Sequence, residues 1–173
     1  SPWAHHMIAV AKPGGKWRVV VDFRELNRLL EPDTYIMPTV SDLVAFFADG
    51  DWRSVIDLQS YFHQLPLDEN SRDMTATMTP LGLKWYTGAP MGLAKTPGVA
   101  QRKSNEIVEG LSFVRVYLDD LLVVTKGTRQ QHEDACVQVF ERLRQHGVHA
   151  HVPGAAKGFF FQEAGTALGY LVS

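Results

Sequence analysis

The chain has 173 residues, 45% of them hydrophobic and 21% charged, with a formal net charge of −2; this suffices for one sizeable core or two lobes sharing one, in the composition of an ordinary globular protein. No apolar run approaches the ~18 residues of a membrane-crossing helix, and a single cysteine, Cys136, excludes an internal disulfide framework and fits a reducing compartment. The opening Ser1-Pro2-Trp3-Ala4 has neither an initiator Met nor a basic leader, so a piece of a longer intracellular polypeptide is expected.

In chain order, Met7–Ala11 and Lys16–Asp22 read as strands joined by Lys12-Pro13-Gly14-Gly15, a hairpin turn signal. The turn gathers Lys12, Lys16 and Arg18, which suit either phosphate binding or the protection of an exposed strand edge. Phe23–Leu30 reads as a short helix, followed by a loop to Pro38. Thr39-x-x-Asp42 caps a helix facing inward through Leu43, Phe46 and Phe47, with Gly50 as its stop. Trp52–Leu58 reads as a strand with Asp57 near its end. Thr75–Thr79 and Leu83–Thr87 form a second hairpin about Pro80-Leu81-Gly82. Thr96-Pro97 is an N-cap followed by a first helical residue; the helix runs towards Gly110 with a thin apolar face of Val99, Ala100, Ile107 and Val108. Ser112–Lys126 splits into two strand-like runs around Asp119 and Asp120. Thr128-x-x-Gln131 is a capping box for a helix to His146, with Cys136, Val139, Phe140 and Leu143 inward and Gly147 as its C-terminal stop. Val148–Val152 and Thr166–Val172 read as short final strands. The pattern predicts an α+β fold, a sheet covered on one face by helices.

Charge is unevenly spread: residues 1–30 sum to +3, residues 31–75 to −7 and the remainder to +2. That suits an anionic ligand at one end and metal ions nearby, although solvated surface charge produces the same pattern. Asp119 and Asp120 admit two readings. They form a hairpin tip, where Asp is a common turn residue, or they hold a divalent cation that cancels their repulsion. Asp57 ends the run Ser54-Val55-Ile56, an odd place for an unpaired charge. It caps the following turn or joins the acid pair. Three carboxylates converging at the ends of neighbouring strands bind two Mg²⁺ ions about 3.5–4 Å apart and serve in-line displacement at phosphorus.

Tyr117-Leu118-Asp119-Asp120, preceded by Val114 and Val116, resembles the Tyr-x-Asp-Asp box of reverse transcriptases. Trp17-Arg18 and Val21-Asp22-Phe23-Arg24-Glu25-Leu26-Asn27 resemble the fingers motif of that family. Ile56-Asp57-Leu58-Gln59-Ser60-Tyr61-Phe62-His63-Gln64 resembles its first catalytic motif, and Met91-Gly92-Leu93 with Pro97 and Gln101 its second. His146-Gly147-Val148 and Leu168-Gly169-Tyr170-Leu171-Val172-Ser173 resemble its last two palm motifs. Six boxes in order span essentially the whole chain, and their phrasing resembles gypsy-like long-terminal-repeat retrotransposons.

The resemblance implies a right-hand polymerase: a palm (an antiparallel sheet backed by helices, ferredoxin-like) with a fingers subdomain, the thumb absent from this stretch. Fingers are expected at about 1–50 and 68–90, palm at about 51–67 and 91–173. It implies RNA-directed DNA synthesis by a two-metal-ion mechanism, with Asp57, Asp119 and Asp120 holding two Mg²⁺, or Mn²⁺ in their place. Lys12 and Arg18 are implied to neutralise the incoming triphosphate, and the backbone of Leu58, Gln59, Ser60, Tyr61 and Phe62 to cradle it. Phe62 corresponds to the aromatic that blocks a ribose 2′-hydroxyl; Met91 and Tyr117 complete the nucleotide-binding set. Gly169 and Tyr170 are implied in the primer grip, and Lys157 in protonation of the leaving pyrophosphate. The implied partners are an RNA or DNA template with primer, dNTPs, and thumb, connection and ribonuclease H regions of the same polyprotein. No membrane is implied, and the expected location is intracellular, in a cytoplasmic particle or the nucleus.

The chain departs from that pattern in places. Met91 stands where Gln or Phe is usual, and Ala100, Lys103 and Ser104 stand near positions where relatives place bulky apolar residues. Gly98 costs up to ~1 kcal/mol of helix stability relative to Ala. A thinner helix keeps open a second reading, a catalytically silent nucleic-acid-binding remnant with its carboxylates intact. A carboxylate-metal nuclease or phosphatase is a third. His146-x-x-His149-x-His151 suggests zinc, but Cys136 lies ten residues upstream of His146, unlike the close ligand spacing of structural zinc sites.

Overall fold

The structure is a computed structural model and describes residues 1–12, 14–151, 158–163, 165–167 and 170–172. In order, its elements are β1 (Met7–Ala11), β2 (Trp17–Val21), α1 (Arg24–Leu29), α2 (Val40–Ala48), β3 (Trp52–Asp57), α3 (Tyr61–Gln64) and α4 (Glu69–Arg72). There follow β4 (Thr77–Thr79), β5 (Gly82–Lys84), α5 (Thr96–Ile107), β6 (Val114–Tyr117), β7 (Asp120–Thr125), α6 (Arg129–Gln145), β8 (Phe159–Gln162), β9 (Gly165–Ala167) and β10 (Tyr170–Val172).

The chain divides into two compact units, Ser1–Thr34 with Phe62–Val99, and Tyr35–Tyr61 with Ala100–Ser173. These bounds differ from the expected 1–50 and 68–90 against 51–67 and 91–173. Residues 35–50 go with the second unit because α2 packs Leu43 and Phe47 against Val55, Leu122 and Val124 of the sheet there. Leu65 and Leu67 go with the first, where the Ala89 amide donates to the Leu65 carbonyl at 2.8 Å and the Leu67 amide to the Thr87 carbonyl at 2.9 Å.

In the first unit, β1 and β2 pair antiparallel from Met7↔Val21 to Ala11↔Trp17. The Lys12 amide donates to the Lys16 carbonyl at 2.7 Å and closes the expected turn. Every residue of β1 is exposed, and β2 is buried only at Val21. Val21 joins Phe23 and Leu26 in a small core flanked by Trp3, Met74, Tyr86 and Leu93. The second hairpin is shorter than expected, because Thr75 is taken into a 3₁₀ turn, Asp73–Thr75, before β4 begins.

The second unit is built on a four-stranded antiparallel sheet in the order β6-β7-β3-β8. Directly opposed residues in such a ladder share a face, so the register sorts the side chains. Arg53, Val55, Asp57, Asp120, Leu122, Val124, Arg115 and Tyr117 lie on one face; Ser54, Ile56, Leu121, Val123, Val114 and Val116 lie on the other. The first face meets α2. The second meets α6, whose His132 Nε2 lies 2.8 Å from Ser54 Oγ. Helices therefore cover both faces rather than the one expected; the sequence pattern showed α2 as amphipathic but not which side of the sheet it takes.

The ends of α6 follow the sequence. Thr128 and Gln131 form a reciprocal capping box. At the other end Gly147, at φ +65, donates to the Arg144 carbonyl and Val148 to the Leu143 carbonyl, at 3.1 and 2.9 Å, which satisfies two of the last carbonyls of the helix. Gly50 has a different role from the one expected. Asp49 ends α2, and Gly50 instead lets the chain pass β7, where a Cβ would collide with Val124 Cγ1. Thr96 likewise lies inside α5 rather than capping it, and its hydroxyl donates to the Pro90 carbonyl at 3.5 Å.

Val148–Val152 does not form the expected strand: Ala150 makes an isolated antiparallel bridge with Leu58, and Val152 lies outside the described residues. The edge beside β3 is taken by β8, unforeseen in the sequence because its Phe-Phe-Phe run lacks alternation. Thr166–Val172 resolves into β9 and β10, paired from Tyr170↔Ala167 to Val172↔Gly165.

Candidate active site

The β3–β7 ladder and the turn beside it bring the three aspartates to neighbouring backbone positions, which sequence spacing alone could not establish. Asp57 is the last residue of β3 and Asp120 the first of β7, and they are direct cross-strand partners. Tyr117 pairs with Asp120 on the other side, so Leu118 and Asp119 make the turn between β6 and β7. The Leu58 amide donates to the Asp119 carbonyl at 2.8 Å, which fixes the turn to the strand end that carries Asp57. Asp57 is 7% exposed, whereas Asp119 and Asp120 are half-buried. Like charges directly opposite on neighbouring strands are destabilising, and a bound divalent cation would offset that repulsion.

His151 Nε2 stands 3.3 Å from Asp57 Oδ1, and the His151 amide donates to the Asp57 carbonyl at 2.9 Å. The neighbouring bonds, Gln59 amide to His149 carbonyl at 3.0 Å and the Leu58–Ala150 bridge, hold this segment alongside the residues that follow β3. The three histidines therefore do not assemble with Cys136. His151 serves Asp57, and the Cys136 thiol is buried 3.6 Å from Ser54 Oγ, where desolvation pushes its pKa up.

The donor set fits a hard divalent ion: carboxylate oxygens on adjacent strands, one of them a buried Asp57 oxygen. Among the described residues no three His, Cys, Asp or Glu side chains already converge as a metal cage. Mg²⁺ needs no such cage, because it is commonly held by one or two carboxylates with water and substrate phosphates completing the octahedron.

The turn is held from behind by α5. Gln101 is fully buried, and its amide acts as an extra strand: Nε2 donates to the Val116 carbonyl and Oε1 accepts from the Leu118 amide, each at 2.8 Å. Ser104 Oγ donates to the Leu118 carbonyl at 3.2 Å. Leu118 has φ +55, a left-handed conformation that costs a non-glycine residue roughly 1–2 kcal/mol. Both of its peptide groups are thus tied down by side chains of one helix. The sequence signal for this clamp was the presence of Gln101 and Ser104 among Ala100, Ile107 and Val108 on the inward stripe of α5, since polar residues on a buried face need partners.

The remaining expected site residues divide between the units. In the second unit, Leu58 is buried, Gln59 and Ser60 are exposed with Ser60 at φ +48, Tyr61 is buried, and Tyr117 packs beside α2. In the first unit, Lys12 and Arg18 are exposed on the β1–β2 hairpin, with Arg18 opposite Val10; Phe62 is half-buried and Met91 is exposed. Tyr170 begins β10, while Gly169 and Lys157 lie outside the described residues.

Comparison with known proteins places this arrangement. The chain is 34% identical over 158 residues, 90% of its length, to the retrovirus-related Pol polyprotein from transposon 412 of Drosophila melanogaster. It is 30% identical, over 94% of its length, to that from transposon 297 of the same organism. It spans only 12% and 15% of those polyproteins. The fold matches the foamy viral protease-reverse transcriptase solved with double-stranded DNA, at a TM-score of 0.88 and 23% identity, over 97% of this chain and 29% of that one. The sequence profile described as reverse transcriptase (RNA-dependent DNA polymerase) matches residues 10–171. The chain belongs to the reverse transcriptase family, in the form that retroelement Pol polyproteins carry.

Proposed function

We propose that this chain performs templated DNA synthesis, extending a primer on an RNA or DNA template with dNTPs. The primer 3′-oxygen bonds to the α-phosphorus of the nucleotide, and the bond from that phosphorus to pyrophosphate breaks. The observation that carries the reading is the pairing of Asp57 with Asp120 on adjacent strands, with Asp119 in the turn bonded to Leu58. Two Mg²⁺ ions, or Mn²⁺, held by Asp57, Asp119 and Asp120 would supply charge stabilisation for the attacking and leaving oxygens.

The chain's own residues fill the other roles. Arg18 and Lys12 neutralise the triphosphate, Arg18 through its planar fork and Lys12 as a point charge. The exposed Gln59–Ser60 turn offers backbone to the nucleotide, Phe62 excludes a ribose 2′-hydroxyl, and Met91 and Tyr117 complete its surroundings. Gly169 and Tyr170 support the primer end. In this reading the first unit corresponds to fingers and the second to palm, and a longer polyprotein supplies thumb, connection and ribonuclease H regions. Among the described residues no helix is long and apolar enough to cross a membrane.

The test is primer extension on an RNA template, run with this chain and with a longer piece of its reading frame. Asp119→Asn should abolish extension and leave the fold intact by circular dichroism. Extension retained by that variant overturns the assignment.

A further inference from the structure

The inward stripe of α5 is unusually small and polar. Ala100, Gln101 and Ser104 are all buried, Ala100 and Ser104 near positions where bulky apolar residues were expected. The missing volume comes from outside the helix. Tyr61 is among the largest fully buried side chains of the molecule, and its phenol lies 3.5 Å from the Ala100 carbonyl and within hydrogen-bonding reach of Ser104. Burial pushes the Tyr61 pKa up.

Ser104 consequently has two neighbours of different origin. On one side is Tyr61, four residues after Asp57; on the other is the carbonyl of Leu118, immediately before Asp119. A serine hydroxyl both accepts and donates. The Tyr61 hydroxyl donates to the Ala100 carbonyl beside Ser104, and the Ser104 hydroxyl donates to the Leu118 carbonyl, so one turn of α5 stands between the two segments. It joins the backbone that leaves the first carboxylate to the backbone that enters the second and third. A bulky apolar side chain at position 104 could pack against this turn but could not bond it.

We propose that Ser104 is a positioning residue: with Tyr61 it sets the spacing of Asp57 relative to Asp119 and Asp120, and so tunes the affinity of the site for divalent cations. This rests on the metal-site reading above. The polar character of α5 is then a substitute means of holding the acid turn rather than a sign of decay.

The experiment measures Mn²⁺ binding to the full chain by loss of the free-ion paramagnetic resonance signal. It compares the unaltered protein with Ser104→Ala, Ser104→Thr, Tyr61→Phe, the double variant Tyr61→Phe/Ser104→Ala, and Asp57→Asn; metal-free melting checks each fold. Ser104→Ala should weaken Mn²⁺ about three- to tenfold, and Ser104→Thr should restore it by restoring the hydroxyl. Tyr61→Phe should weaken it in the same direction, with the double variant little worse than either single one. Binding lost in Asp57→Asn but unchanged in Ser104→Ala, or not rescued by Ser104→Thr, overturns the positioning role alone. No Mn²⁺ binding by the unaltered chain, or binding undiminished in Asp57→Asn, overturns the metal site and this role with it.

Discussion

Two strands of this protein open with the same dipeptide and meet opposite fates. β2 begins Trp17-Arg18 and β3 begins Trp52-Arg53. On β2, Trp17 is 70% exposed, and Arg18 is exposed opposite Val10, close to the turn of a two-stranded hairpin. On β3, Arg53 is 4% exposed. Its guanidinium donates to the Phe47 carbonyl at 2.7 Å, to the Ala48 carbonyl at 3.1 Å and to the Glu163 carbonyl. Two of these are the last carbonyls of α2, which carry the negative end of the helix dipole. One arginine is a structural cap. The other is a cation held in solvent on a two-stranded hairpin, where the proposed function gives it a triphosphate to meet and the bland alternative is an edge-strand charge.

The largest effect that separates the two is on stability. Arg53→Met keeps the length and apolar stem but strands three carbonyls. Given 1–3 kcal/mol for each buried group left unsatisfied, with partial relief by water, it should cost about 2–4 kcal/mol. Urea denaturation of this variant beside Arg18→Met measures the contrast. Equal midpoints for the two would erase the distinction.

The same contrast shows what the sequence could and could not convey. Local signals were legible: the Thr128–Gln131 box, the Gly147 stop and the Lys12–Lys16 turn depend on neighbours in the chain, and each appears where its chemistry puts it. The Tyr-x-Asp-Asp box and Asp57 were legible as motifs. Their adjacency was not, because it depends on the register of Asp57 with Asp120, residues 63 positions apart in the chain. Arg53 was invisible as a cap since its partners lie five and six residues before it in a helix and far ahead at Glu163. The face taken by α2 and the arrival of β8 at the sheet edge are likewise tertiary choices between surfaces of similar composition. His151 was read only as a weak zinc candidate, because nothing in its neighbourhood announces Asp57.

An intermediate effect belongs to the other face of β3. His132 is fully buried, with Nε2 at 2.8 Å from Ser54 Oγ and Nδ1 at 2.8 Å from Thr125 Oγ1. Burial lowers its pKa from the ordinary value, opposed weakly by Glu133. A histidine kept neutral by the fold takes up its proton more readily when unfolded. Stability from this group is therefore complete above the unfolded pKa, roughly 6.5, and falls as the pH drops below it, by at most about 1.4 kcal/mol per pH unit. Urea midpoints between pH 7.5 and 5.5 should decline on the acid side, and His132→Gln, which can still bond Ser54, should flatten that decline. An undiminished slope in the variant would assign the acid sensitivity to other groups.

The smallest stability effect is expected on the β1–β2 hairpin, and it is the sharpest test of the comparison because it separates folding from function. Arg18 makes no packing contact that the core requires, so Arg18→Met should move the urea midpoint by no more than about 0.5 kcal/mol. Under the proposed polymerase reading the same change should raise the dNTP concentration needed for half-maximal primer extension by about tenfold, with Arg18→Lys recovering only part of the loss, since an ammonium cannot form the bidentate contact. A Met variant that folds normally and uses dNTPs normally would return Arg18 to the role of an edge-strand charge. A variant that unfolds would show that the hairpin, for all its exposure, is tied to its unit as firmly as β3 is to the sheet.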